Sequence, residues 1–325
     1  MSIRRSRGMG VLAHGPNVRR RIAACLKRNK FMRTCFWLAL AAGVAAPPAL
    51  AAPADAEELS RRLAQAEQSV VLLNFKQARV TFDAVRREAA EGSALWQRAS
   101  YGAVLTRLQS PAVGRGDVAE AVRLLEGLIG GSEAKSPIRP FAYKTLGRLH
   151  HIRDYPGDPV DRSAAREAYT RVIEDFPDHP LADTCRFYRI QTYLEVVGDP
   201  EAVTEGVERV RRYARAGNAP ANSSVLLEMA GEAVLRLGRH AEAVDLFSQA
   251  YRIGLLDAGK TDLFLWRLGR LSEQVEDWET AVFAYQEMIR ATGSGRGYEA
   301  RLRLSELARR FPAMEIEVIE LDDLK

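Results

Sequence analysis

Apolar residues along the chain recur at steps of three and four, in segments of about a dozen residues separated by Gly, Pro, Asp and Asn. No stretch alternates apolar and polar for long. A three-to-four step lays apolar side chains along one face of a helix, so the pattern predicts an almost wholly helical chain. The stretch "SAAREAYTRVIEDFPDHP", Ser163 to Pro180, sets a template. A small residue, Ala165, is followed by an aromatic at Tyr169 and an aliphatic at Val172. Pro177 then stops the helix, because proline lacks the amide N–H and its ring clashes with the preceding turn.

The template recurs. Ala243, Phe247 and Ala250 repeat it, as do Ala281, Tyr285 and Met288, and Ala78, Phe82 and Val85; Ala121, Leu125 and Leu128 fit more loosely. Twelve residues upstream of Ala243 and of Ala281 lie Gly231 and Gly269, and Gly147 precedes Ala165 with a longer turn between. These residues resemble the tetratricopeptide repeat. The resemblance implies paired antiparallel helices that cross where small residues meet, with the aromatic filling the gap to the next pair. Alanine at Gly269 is expected to be mild, since a helix gains from losing a glycine.

The resemblance runs over roughly residues 57–312 and implies an all-α solenoid of about five to six hairpins. "YEARLRLSELARRFP" reads as a C-terminal capping helix. The key alanines step unevenly, and the 78 residues between Ala165 and Ala243 hold a divergent unit near "PEAVTEGVERVRRYARAG". The expected organisation is a leader over 1–51, the helical repeat domain over 52–312 and a short acidic tail over 313–325. The style of the short units is also similar to that of envelope proteins of outer-membrane assembly and cell division.

Charge changes the picture at the N-terminus. The whole chain has 47 Lys and Arg against 42 Asp and Glu, a net charge of +5. Ten of the basic residues and none of the acidic ones fall within residues 1–51, so the remainder carries −5. A nucleic-acid binder needs its positive charge on the folded part, so that class is set aside. "MRTCFWLALAAGVAAPPALA" has a positive start at Arg33, an apolar run from about Cys35 to Ala46 and a small-x-small end at Ala49–Ala51. This reads as a cleaved secretory signal with a mature start near Ala52, and Met32 stands where such a signal would begin. An uncleaved anchor is the alternative. The expected location is periplasmic or secreted. Cys25 and Cys35 fall in the leader, which leaves Cys185 alone and no internal disulfide.

Candidate chemistry is sparse. His150 and His151 are adjacent and point about 100° apart on a helix, too far to chelate together, and no metal is expected. "DYPGDPVD" lacks the acidic spacing of a calcium loop, and "GSGRG" at Gly293–Gly297 follows a helix rather than a strand. No cofactor is expected. The remaining functional feature is the groove that the first helix of each hairpin would line. The register places Phe141, Lys144, Arg148 and His151 there in one unit. Glu228, Glu232 and Arg236 follow in the next, and Trp266, Arg270, Glu273 and Gln274 in the last. The expected role is a non-enzymatic envelope scaffold that holds a protein or peptide partner, anchored at Trp266 and Phe141 and paired by Arg148 and Arg270. The alternatives are a spacer subunit of an envelope complex that binds at its ends or convex face, and a helical-toroid enzyme of the cell wall or of polysaccharide processing; for Trp266 itself the alternative is burial against a neighbouring hairpin.

Overall fold

A computed structural model describes residues 54–111, 113–152, 160–217, 220–292 and 295–319. The chain divides into two units, Met1–Glu58 and Leu59–Lys325, and the helices from Leu59 onward make up the second. The leader, with Cys25 and Cys35, lies outside the described residues, as do most of "DYPGDPVD" and residues 320–325.

Thirteen α-helices follow one another among the described residues. They are α1 (Ala54–Val71), α2 (Phe75–Glu88), α3 (Ala94–Gln109), α4 (Arg115–Gly131), α5 (Arg139–His151), α6 (Arg162–Asp175) and α7 (Leu181–Leu194). After these come α8 (Pro200–Arg215), α9 (Pro220–Arg236), α10 (His240–Ile253), α11 (Thr261–Gln274), α12 (Trp278–Thr292) and α13 (Gly295–Arg310). The helix starts are written in the sequence. Ser93, Asp161 and Asp199 accept hydrogen bonds from the backbone N–H three residues on, at 3.2, 2.9 and 2.9 Å. Each cap satisfies a donor that the first helical turn leaves unpaired. Pro177 stops α6, as its place in the template requires.

The helices pack as hairpins because glycines let them approach. A Cβ placed on Gly147 would lie 2.5 Å from the Tyr169 ring, on Gly231 2.5 Å from Phe247, and on Gly269 2.6 Å from Tyr285. Each aromatic therefore lies flat against the helix that precedes it in its own hairpin. Its other side reaches onward: Tyr169 stands 5.8 Å from Tyr188 on α7, and Phe247 5.7 Å from Phe264 on α11. The small residues expected at the crossings, Ala165, Ala243 and Ala281, are all fully buried. This is tetratricopeptide-type packing.

The same device appears where the spacing did not point. Gly102 on α3 receives the Phe82 ring of α2, with a Cβ position 2.5 Å away, so here the glycine follows its aromatic in the chain. In the divergent unit the glycine has moved to the second helix, where Gly206 on α8 meets Leu194 of α7 at 2.8 Å. A single core runs from Ile190 on α7 to Leu307 on α13, and a smaller one joins Ala165, Tyr169, Val172, Leu181 and Cys185.

The expected tail begins differently. After a short 3-10 turn, Pro312–Met314, the side chains of Ile316, Val318 and Ile319 pack against the main core. The Gln286 side chain on α12 donates to the Glu317 carbonyl at 3.0 Å, and Phe311 lies 4.7 Å from Trp278. Residues 311–319 are thus a strap laid on α12 rather than a solvated tail. Similarly, Gly295 to Gly297 open α13 instead of forming a loop.

Candidate partner-binding face

The first helices α1, α3, α5, α7, α9, α11 and α13 are joined to one another by polar side chains. Arg98 on α3 donates to Glu67 on α1 at 2.7 Å. Tyr101 on α3 and Thr145 on α5 share a hydrogen bond at 3.0 Å. His151 at the end of α5 lies 2.9 Å from the carboxylate of Glu195, the residue that caps α7. Arg236 on α9 donates to the Leu194 carbonyl at 2.9 Å, which satisfies an open acceptor at the C-terminus of α7. Arg267 on α11 pairs in a fork with Glu232 on α9, its Nη2 at 2.9 Å. Arg303 on α13 holds Glu273 on α11, with Nε at 3.0 Å.

Most of the expected groove residues are therefore engaged within the stack. His151 is 5% exposed, so it is a buried link and not a groove residue. Glu232, Arg236 and Glu273 each belong to a link between first helices, and Gln274 shares a hydrogen bond with His240 at 3.0 Å. Phe141 is half-buried, its ring 6.2 Å from Tyr101 and 5.3 Å from His179. Trp266 is half-buried as well, 5.6 Å from the Tyr285 ring. Arg148 lies over the Tyr188 ring at 4.2 Å. Lys144 and Glu228 are partly covered on α5 and α9. Arg270 stays exposed, with only a 3.3 Å contact to Glu273. Arg267, Glu195 and Arg303 have as large a part in this face, and the register did not select them. Arg267 stands three residues before Arg270, whereas Glu195 caps a helix, and Arg303 lies on one, for which the register placed no groove residue.

The electrostatics follow from the links. Burial alone would raise the Glu195 carboxyl, but hydrogen bonds from His151 and Gln191 and the nearby Arg148 outweigh it and hold it below the usual glutamate value. At Glu273 burial is likewise outweighed, by Arg303 and by the Tyr285 hydroxyl, which donates at 2.6 Å. Burial raises the Tyr285 phenol, and donation to Glu273 raises it further. Glu228 goes the other way: burial raises its carboxyl against the pull of Lys260, and Glu232 and Asp257 add to the rise.

A lowered folded-state pKa at Glu195 means stability that is complete above the unfolded value near 4.3 and is lost as pH falls through the folded value. Glu195→Gln is expected to lower the melting temperature at pH 7, and the gap to the parent should close below about pH 4. Parallel melts over that range check it. Equal gaps at pH 7 and pH 3 would remove Glu195 from the acid response.

Cys185 is fully buried, and burial pushes its thiol up to about 12. It is a core residue with no thiolate to offer at neutral pH. Alkylation by iodoacetamide in the folded protein should accordingly run at least tenfold slower than in urea; equal rates would place the thiol at the surface. Among the described residues no group of three His, Cys, Asp or Glu is disposed to hold a metal ion, and no helix is long and apolar enough to cross a membrane.

No family model matches the chain, and no curated protein matches it. Solved structures do. A tetratricopeptide repeat protein from Parabacteroides merdae aligns with a TM-score of 0.48 and 10% identity over 82% of this chain and 97% of its own. The PilF protein of Pseudomonas aeruginosa gives 0.45 and 12% over 77% and 100%. The TPR-like repeats of a Podosopora anserina kinesin light chain give 0.45 and 16% over 60% and 94%. It is the chain's own glycine-to-aromatic crossings, repeated hairpin after hairpin, that make it a divergent stack of tetratricopeptide-type hairpins.

Proposed function

We propose that this protein is a non-enzymatic scaffold that works outside the cytoplasm and holds a protein or peptide segment against the face of its first helices. The observation that carries the reading is the row of side-chain links from α1 to α13, which joins successive hairpins into one preformed surface. A preformed surface loses little ordering entropy on binding, so modest contacts can yield useful affinity. Arg270 is an exposed charge on this surface that takes no part in the links between first helices, with the half-buried rings of Trp266 and Phe141 beside them. The location rests on the leader's positive start, apolar run and small-x-small end. N-terminal sequencing of protein from the envelope fraction is expected to begin near Ala52. A cytosolic product starting at residue 1 or Met32 would overturn the extracytoplasmic part.

A second reading has its own support. Because Glu232, Arg236, Glu273 and Gln274 are engaged within the stack, little unpaired charge remains among them for a ligand. That favours a spacer subunit whose ends bind while its middle keeps distance. Substitution at Arg270 separates the two readings, because only the scaffold needs that side chain for binding.

A further inference from the structure

We propose that a cavity between α5, the start of α6 and the end of α7 binds a small carboxylate that carries a hydrogen-bond donor beside it, an α-hydroxy or α-amino acid. The cavity has a volume of about 440 Å³ and is walled by Arg148, His151, Arg162, Gln191 and Glu195. The wall is polar, and its hydrogen bonding is incomplete. The Arg162 Nε is buried with no partner, and its Nη2 makes only a long 3.4 Å bond to the Glu195 carbonyl. Gln191 donates to Glu195 at 2.7 Å and leaves its own Oε1 buried with no donor. His151, with a side chain 2% exposed, has its Nε2 on Glu195 and its Nδ1 buried with no partner. Arg148 stacks on Tyr188, and the Glu195 carboxylate feels its charge.

Buried polar atoms without partners are rare in folded proteins and ask for an explanation. Two guanidinium groups in one wall ask for an acceptor, and a carboxylate matches their planar forks. Glu195 lies near Arg148, but the hydrogen bonds seen at its carboxylate among the described residues are those with His151 and Gln191, and Arg162 reaches only its backbone carbonyl. Gln191 Oε1 asks for the opposite, a donor. A simple anion meets only the first demand; a carboxylate with a neighbouring hydroxyl or ammonium meets both. Water would satisfy the same atoms without discriminating among solutes, and a titration tells the two apart.

The inference does not depend on a protein partner. Arg162 and Gln191 lie outside the proposed partner-binding residues, so loss of small-ligand binding with partner binding intact would sink this proposal alone. The test is an NMR titration of the full-length, nitrogen-15-labelled chain with L-lactate, L-alanine and propionate, which has the carboxylate but no donor. Lactate or alanine should shift the Gln191 side-chain amide and the Arg162 Nε saturably, with propionate at least about tenfold weaker. Arg162→Ala should weaken the better ligand by at least about tenfold, and Gln191→Met should bring it down to the level of propionate. Helical circular dichroism of both variants checks that the fold is kept. The absence of saturable shifts up to about 50 mM of either ligand, or full binding by a folded Arg162→Ala, would overturn the proposal.

Discussion

Tyr285→Ala is expected to lower the unfolding free energy by about 3–5 kcal/mol, the usual result of deleting a large ring from a closed core. The ring is fully buried between the Gly269 backbone and Trp266. Its hydroxyl also donates to Glu273, so truncation takes a donor from a carboxylate whose side chain is only 11% exposed. Urea midpoints of Tyr285→Ala and of Lys76→Ala, an exposed position on α2, measure it. The control should match the parent. A Tyr285→Ala midpoint equal to the control's would mean that the ring does not close the α11–α12 crossing.

Gly269→Leu is expected to cost about 1–3 kcal/mol or more, because the Tyr285 ring occupies the space a side chain needs. The alanine substitution, expected from the sequence to be mild, is the sharper case. Its Cβ alone would stand 2.6 Å from the ring, so Tyr285 must leave its place or the helices must part. That strain opposes the gain of up to about 1 kcal/mol in helix propensity. Gly127 on α4 supplies the contrast, since nothing lies within 4 Å of its Cβ position. Gly127→Ala should stabilise by roughly 0.5–1 kcal/mol, whereas Gly269→Ala should destabilise. Thermal melts of the pair decide it: a Gly269→Ala variant stabilised as Gly127→Ala is would mean that the close approach at Gly269 is not there.

The fold was legible because its requirements are local. A glycine, a small residue and an aromatic at fixed spacing describe one crossing of two neighbouring helices, and both helices sit within one short window of sequence. Gly102 escaped because it meets Phe82 in the reverse order, and only its place inside an apolar helical run, "YGAVL", hinted at a contact. The strap was hidden by its acidic residues: "EIEV" alternates over only four positions, and Ile319, which also packs on the core, breaks the step. The partner face was harder. Helical periodicity gives the direction of a side chain and is silent on what reaches it first. His151 is met by Glu195, 44 residues on, and Glu232 by Arg267, 35 residues on. Those pairings depend on how successive hairpins stack, which no single window contains.

Arg270 tests the scaffold reading most directly. It remains exposed on the first-helix face, so its substitution should alter binding with little effect on the fold. A partner captured from envelope extract would be immobilised and its binding kinetics measured with the parent and with Arg270→Glu, at two salt concentrations. If the partner segment is acidic and docks on this face, reversal of the charge removes an attraction and adds a repulsion, and affinity should fall at least about tenfold. Added salt should weaken the parent's binding, chiefly through a slower association. Unchanged affinity in a folded Arg270→Glu variant, together with salt-independent kinetics, would contradict a binding site on the first helices and leave the spacer as the better account.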